Sequence, residues 1–469
     1  MRAHAPTIAA CLLASLTMAC APVSAQTANP YNGSVTTTKA TPDVLPLSFD
    51  ESIRRGLEFN LALVNARYDL SSAEGQRLQN LQGIIPTITG EAETGYHEIN
   101  LAALGFKTNT LPLPPGTIVS PIAKVAVTDA QANVQWPILD LTAIDNYRAA
   151  KQQITSEAFQ VRSVRSLVVL NVGTTYLQAL AQASNIDNAN SLLATDREVL
   201  RQAHDEHIAG TAANLDELRA RVAVQQQEQV VIASENAFEK TKIALARQIG
   251  IAPEQKLQLT DPVPYADLTL LTLDEARSRA YRDRQDYQTL QYAVRAASLR
   301  RSAARAERLP VLSSGGNYGV TGETTGLYHG TFIAAVGVNF PIFREAGQRG
   351  DVDVADAELK NQKAQLDDLR SRIEAQLRDS FFDIRTAQQL VTVARSNVDL
   401  ATETLDQATQ RFAAGVDDTL PVTQAQTQLA AAQDQLVNSL FQLNTAKLGL
   451  AQNLGILEYQ FDTYLHGQP

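Results

Sequence analysis

The sequence predicts a mainly α-helical chain with a small β part, in which membrane strands are carried on very long helices. Three observations predict it. The chain of 469 residues says nearly everything twice, each half holds stretches that alternate with a period of two, and each half holds long stretches with a period of seven.

The repeat comes first. Leu47-Ser48-Phe49-Asp50-Glu51 returns as Leu271-Thr272-Leu273-Asp274-Glu275, 224 positions later, and Arg55, Tyr68, Pro86 and Gly95 recur as Arg279, Tyr292, Pro310 and Gly319. Trp136-Pro137-Ile138-Leu139 returns as Phe340-Pro341-Ile342-Phe343, and Lys242, Leu245, Gly250 and Ile251 return as Lys447, Leu450, Gly455 and Ile456, 205 positions on. A period near 200 residues is far beyond the 20–50 of a solenoid unit and reads as one unit duplicated and fused. The expected division is a signal segment 1–25, a linker 26–46, a first repeat 47–251, a linker 252–270, a second repeat 271–456 and a tail 457–469.

At the N-terminus, Arg2, the apolar residues 7–19 and Val23-Ser24-Ala25 have the order of a secretory signal. A second reading makes Cys20 a lipid-bearing N-terminus. Cys11 and Cys20 are the only cysteines, so no disulfide is expected within the exported body. Beyond the signal no run of about 18 apolar residues exists to form a membrane helix. An exported chain of this kind is either soluble or a β-barrel.

The first helix of each half is expected over 49–82 and 273–308, each ending before a proline, Pro86 or Pro310. A β-hairpin follows in each half, over 87–136 and 311–340. In the first, Ala130, Ala132, Val134 and Trp136 alternate with Asp129, Gln131, Asn133 and Gln135; in the second, Phe332, Ala334, Val336 and Val338 alternate with Thr331, Ile333, Ala335 and Gly337. A half-buried hairpin on a soluble sheet also alternates in this way. Aromatic residues at both ends of the apolar faces, Trp136 and Phe340 against Tyr96 and Tyr318, favour a membrane girdle. Four strands cannot close a barrel, which needs about eight, so the strands must be pooled between chains.

Coiled-coil hairpins are expected over 142–250 and 345–455. Leu377, Ile384, Val391, Val398, Leu405 and Phe412 are spaced by seven, with Ser380, Ala387, Ala394, Ala401 and Ala408 between them. Val172, Ala179, Ile186, Leu193 and Leu200 hold the matching places in the first half. Such a repeat imposes left-handed supercoiling, and the small residues allow close approach. Only 6% of residues are aromatic, which suits thin helical walls better than a thick core. The net charge of −10 argues against a nucleic-acid partner, which needs a basic surface.

With these elements in order, the chain resembles the outer-membrane efflux family typified by TolC, from Leu47 to about Glu458. The resemblance rests on the duplicated L-x-[FL]-D-E helix start, the proline-bounded hairpins, the [WF]-P-I-[LF] strand exits and the two glycine-bearing turns. It implies a homotrimer whose four strands per chain form a twelve-stranded outer-membrane β-barrel, continuous with a long periplasmic α-helical coiled-coil barrel. It also implies contact with outer-membrane lipid, a periplasmic adaptor protein and an inner-membrane pump. The barrel lumen would take Glu91, Glu93, Asp129 and Gln131. The periplasmic tips, as gate and adaptor contact, would take Gly210, Thr211, Leu215 and Asp216 on one turn, and Phe412, Gly415, Val416, Asp417, Asp418 and Leu420 on the other. About twenty extra residues between the first pair of strands, including Leu111-Pro112-Leu113-Pro114-Pro115-Gly116, would be an extracellular loop.

The chain departs from the family prototype at the tips. Asp216 stands where the prototype has a gate aspartate, but Phe412 replaces a tyrosine and Asp417 an arginine, and two further aspartates become Pro421 and Gln424. The prototype's latch therefore does not carry over. Asp417 and Asp418 read either as part of an acidic ring that favours cations or as two solvated turn acids. His204 and His207, three apart, read as a helix end or as two metal ligands lacking a third. No nucleophile elbow, phosphate loop or zinc motif is present in the sequence, so neither enzyme activity nor a cofactor or metal is expected. The expected function is a passive exit duct in a tripartite efflux or type I secretion system; the rival is a soluble periplasmic coiled-coil adaptor.

Overall fold

The computed structural model describes residues 29–35, 39–103, 105, 120, 122–210, 213–266, 268 and 271–466. The expected signal segment, the loop insert 111–116 and Thr211 lie outside the described residues. In chain order the elements are β1 (Leu45–Leu47), α1 (Phe49–Phe59), α2 (Leu61–Gln82), β2 (Thr87–Asn100), β3 (Ile122–Leu139), α3 (Leu141–Ile208), α4 (Asn214–Gln248) and β4 (Leu257–Leu259). The second half supplies α5 (Leu273–Asp283), α6 (Gln285–Ala306), β5 (Val311–Glu323), β6 (Tyr328–Asn339), α7 (Glu345–Ala413), α8 (Thr419–Asn453) and α9 (Leu457–His466).

Each repeat opens on a capped helix. Ser48 accepts a hydrogen bond from the Glu51 N–H, and Thr272 with Glu275 forms a reciprocal capping box. The single first helix expected in each half is in fact two. The chain breaks at Asn60 and again, 224 positions later, at Arg284, where both residues are extended. Neither position looks like a break locally, because the flanking residues are good helix formers. Tertiary contacts decide it. Asn60 is fully buried, accepts from the Ala62 N–H, and donates its amide to the Tyr31 and Gln248 carbonyls. A glycine faces each break: a Cβ on Gly250 would lie 2.6 Å from Phe59 Cβ, and one on Gly455 2.6 Å from the Arg284 nitrogen. Both glycines also have positive φ, so a side chain is excluded twice over.

The four long strands form one antiparallel sheet in the order β2-β3-β5-β6, so the two hairpins join through β3 and β5. β3 runs three residues past the expected end at Trp136, with a register shift between Pro137 and Leu139. Proline has no N–H for the ladder, so an irregularity there is expected.

Below the sheet, α3 has 68 residues and α7 has 69, roughly 100 Å each at 1.5 Å per residue. The return helices α4 and α8 have 35 residues each and cover only the far halves. Near the sheet, α6 lies between α3 and α7, while α2 lies on α3. The heptad residues Leu377, Ile384, Val391, Leu405 and Phe412 are buried, as are Val172, Ala179 and Leu193.

The largest core cluster sits where the four long helices meet the linkers, around Leu47, Phe49, Val172, Tyr176, Leu245 and Leu448. The segments expected as plain linkers supply β1 and β4, which pair in parallel, and the expected tail forms α9. Strands of three residues carry too little pattern to be read from sequence. Asp261 fixes this region by accepting from the Phe49 N–H at 2.6 Å and the Tyr176 hydroxyl at 2.9 Å. Phe49 packs edge-on against Tyr176, with ring centroids 5.5 Å apart.

Candidate functional site: a two-faced sheet and two helical tips

Strand register places the polar residues of the sheet in rows on one face. Glu91 stands opposite Gln131, which stands opposite Gly319; Glu93 stands opposite Asp129, which stands opposite Thr321. Gln131 donates to Asp129 Oδ2 at 2.5 Å and accepts from the Asn317 amide, while Asn133 donates to Glu91 Oε2 at 3.2 Å. The four residues expected to line a lumen thus share one face of the sheet, with Asp129 and Gln131 joined directly. The other face exposes Ile88, Tyr96, Trp136, Tyr318, Phe332, Val336 and Val338. Strands β2 and β6 each pair on one side only, which leaves two open edges. An open edge and a bare apolar face are both costly in water.

At the opposite end, the α3–α4 and α7–α8 turns lie side by side. Gly210 and Gly415 take positive φ where α3 and α7 end. The Val416 N–H donates to the Arg411 carbonyl and the Gly415 N–H to the Phe412 carbonyl, which closes the end of α7. Phe412 is buried against Val422 and Ala408, whereas Leu215, Val416 and Leu420 are exposed. Asp216 and Thr419 bring the turns together, with the threonine hydroxyl donating to Asp216 Oδ1 at 3.4 Å.

Four residues that sequence reasoning missed set the electrostatics here. Arg411 makes a two-pronged contact to Asp417, Nε to Oδ2 at 2.5 Å and Nη2 to Oδ1 at 3.2 Å. That guanidinium holds the Asp417 carboxyl below the usual carboxylate range. Arg219 reaches Asp216 at 3.3 Å and Asp418 at 3.8 Å, and Asp418 also caps α8 by accepting from the Leu420 N–H. Each of the two turn acids therefore has an arginine of the same chain within ion-pair distance. Glu217 is buried between His204 Nδ1 at 3.2 Å and Arg221 Nη2 at 2.6 Å. The hydrogen bond from His204 is the main influence holding its carboxyl low. His204 is thus engaged by a carboxylate, and among the described residues no group of three His, Cys, Asp or Glu is set to hold a metal.

Beside the turns runs an apolar groove of about 390 Å³, lined by Leu215, Leu218, Val222, Ala223, Leu420 and Thr423. Leu215 and Leu420 were expected to act here. Leu218 and Val222 were not, although their spacing of three and seven from Leu215 was a readable stripe.

A sheet with these two faces on helices of this length matches a known pattern. The model of the outer membrane efflux protein family matches residues 53–251 and 269–456. The chain belongs to that family. Two Pseudomonas putida relatives, the probable efflux pump outer membrane protein SepC and the toluene efflux pump outer membrane protein TtgF, are each 25% identical over 314 residues. The match covers 66% of this chain and 65% of each relative, so the chain spans just under two thirds of their length. The solved CmeC outer membrane channel of Campylobacter jejuni superposes with a TM-score of 0.76 at 15% identity, covering 87% of this chain and 86% of that one. At that identity the likeness speaks for the fold. Membership of the family makes this chain an outer-membrane protein with a large periplasmic part.

Proposed function

We propose that the chain is the outer-membrane exit duct of a tripartite efflux or type I secretion system. The observation that carries this reading is the four-stranded sheet, with a polar face, a bare apolar face and two open edges, set at one end of helices about 100 Å long. Four strands cannot enclose a lumen, but three copies joined edge to edge supply twelve and leave no edge exposed. The apolar face then meets lipid, and Glu91, Glu93, Asp129 and Gln131 face the water-filled lumen. The long helices continue the tube through the periplasm.

The tips of the two helical hairpins act as the gate, and the groove at Leu215, Leu218 and Leu420 takes the adaptor. An apolar groove next to paired charges suits an amphipathic helical hairpin. An inner-membrane pump supplies the energy, and no chemistry is done on the cargo. The test is fractionation followed by planar-bilayer recording. The duct reading expects recovery in the outer membrane as a trimer with single-channel conductance. Recovery in the soluble periplasmic fraction would support the rival adaptor reading instead.

A further inference from the structure

The seam between the two helical hairpins of one chain holds an acid that its packing does not require. α3 packs on α8, where a Cβ on Gly173 would lie 3.3 Å from Leu448 Cδ1. Equal steps along α3 and back along the antiparallel α8 set Leu192 against Leu429, Asp196 against Ala425 and Val199 against Val422. Leu192, Val199, Val422, Ala425 and Leu429 all belong to one buried cluster. Asp196 thus interrupts an apolar stripe, and Gln426 lies beside it; each is 7% exposed. The Gln426 amide nitrogen is buried without a hydrogen-bond partner. The internal repeat shows what the position takes when packing alone decides. The counterpart of Asp196, 205 positions on, is Ala401, which packs against the same cluster.

The surrounding charges are engaged elsewhere. α8 has no ionisable residue from Thr419 to Gln433. On α4, Arg221 binds Glu217, Arg219 binds Asp216 and Asp418, and Glu228 binds Arg197 of α3. On α3 itself, Arg201 binds Glu198 and Asp205, and His204 binds Glu217. On α7, Arg411 binds Asp417, while Asp399, Glu403 and Asp406 are exposed.

We infer that Asp196 and Gln426 form a proton-dependent latch between the α3–α4 and α7–α8 hairpins. With its proton, the Asp196 carboxyl donates its O–H to Gln426 Oε1 and accepts from Gln426 Nε2, so both buried groups are satisfied across the seam. When the proton leaves to water, one of the two hydrogen bonds is lost and a carboxylate is left in an apolar stripe. Parting the hairpins hydrates it again. Acid therefore closes the seam and neutral pH loosens it. Burial pushes the Asp196 carboxyl up to about 6, which sets where the change falls.

The function of the latch rests on the reading of the tips as a gate, and the test keeps the two apart. In the full chain, spin labels on Ile208→Cys and Val416→Cys, both exposed, report the distance between the two hairpin tips. Cys11 and Cys20 lie ahead of residue 26, outside the helical body. The labelled chain is diluted into unlabelled protein, so that only pairs within one chain are read. Between pH 5 and 7.5 the ratio of the longer to the shorter distance is expected to rise about tenfold. That is the linkage of a carboxyl at about 6 in the closed seam and at its ordinary value in the open one. Asp196→Asn keeps both hydrogen bonds and cannot titrate, so it is expected to hold the shorter distance throughout. Gln426→Leu removes the partner and is expected to lengthen the distance already at pH 5. A wild-type distance independent of pH, or the same response in Asp196→Asn, would overturn the latch. Opening in planar bilayers is expected to follow the distance; a distance that moves with pH while conductance does not would overturn the tips as gate.

Discussion

Arg411 holds Asp417 across the α7–α8 turn, guanidinium Nε to carboxylate Oδ2 at 2.5 Å. The two residues are six apart in sequence and meet only because Gly415 reverses the chain between them. The pair closes the tip of one helical hairpin and gives the turn acid a cation from its own chain.

Its pH dependence has a definite sign. The Asp417 carboxyl is held below its unfolded value by Arg411, so the pair's contribution is present above the ordinary aspartate range and is lost as pH falls through the lowered folded value. Protection factors of the amides in residues 410–419, with the intrinsic pH dependence of exchange divided out, are expected to stay constant from pH 7 to about 5 and to fall only below about pH 4. A fall already at pH 6 would point to a different group.

Removing the cation exposes the acid. Arg411→Ala leaves Asp417 uncompensated near the opening and is expected to increase cation preference in planar bilayers, while Asp417→Asn leaves selectivity near wild type. Equal selectivity in all three proteins would show that the tip does not face the ion path.

Asp196 behaves in the opposite sense. It lies buried on α3 among Leu192, Leu193 and Val199, and burial pushes its carboxyl up to about 6. A raised folded value means that the native state binds the proton more tightly, so stability is highest below the unfolded value and falls as pH rises through about 6. Asp196→Asn is expected to flatten this slope and to gain on the order of 1–3 kcal/mol per chain at pH 7.5. Melting temperatures of both proteins across pH 4.5–7.5 check it.

The two helix breaks have unequal supports. Asn60→Ala removes a cap and leaves the Tyr31 and Gln248 carbonyls without that donor, an expected loss of about 2–4 kcal/mol in denaturant unfolding. Asn60→Leu, which favours one continuous helix across the break, is expected to lose at least as much.

The groove beside the tips can be tested without disturbing the four-stranded sheet. Leu218→Lys or Val222→Lys places a charge in an apolar channel that the chain itself leaves open. Pull-down of the adaptor is expected to fall at least tenfold, about 1.4 kcal/mol, with single-channel conductance unchanged.

Much of the architecture was legible because periodicity dictates burial. The heptads through Val172 and Leu377 had to find a partner, and the alternation at Asp129–Trp136 had to give two unlike faces. What the sequence did not disclose depends on contacts between distant segments. The breaks at Asn60 and Arg284, which face Gln248 and Gly455, the pairing of β1 with β4, and the hydrogen bond from Lys447 to the Ala266 carbonyl all join residues more than 170 apart in sequence. At the tips the glycines and acids were visible in sequence. Their cationic partners Arg219 and Arg411 were not singled out, because only the folded turn brings them to Asp418 and Asp417.

The measurement that tests the duct most directly is cysteine accessibility along β3. Single cysteines at positions 129 to 134 would be reacted with a charged, water-soluble thiol reagent during planar-bilayer recording. The account predicts alternation: reagent lowers conductance at Asp129, Gln131 and Asn133 and has no effect at Ala130, Ala132 and Val134. Uniform labelling with no change in conductance would contradict a lumen on the polar face of this sheet.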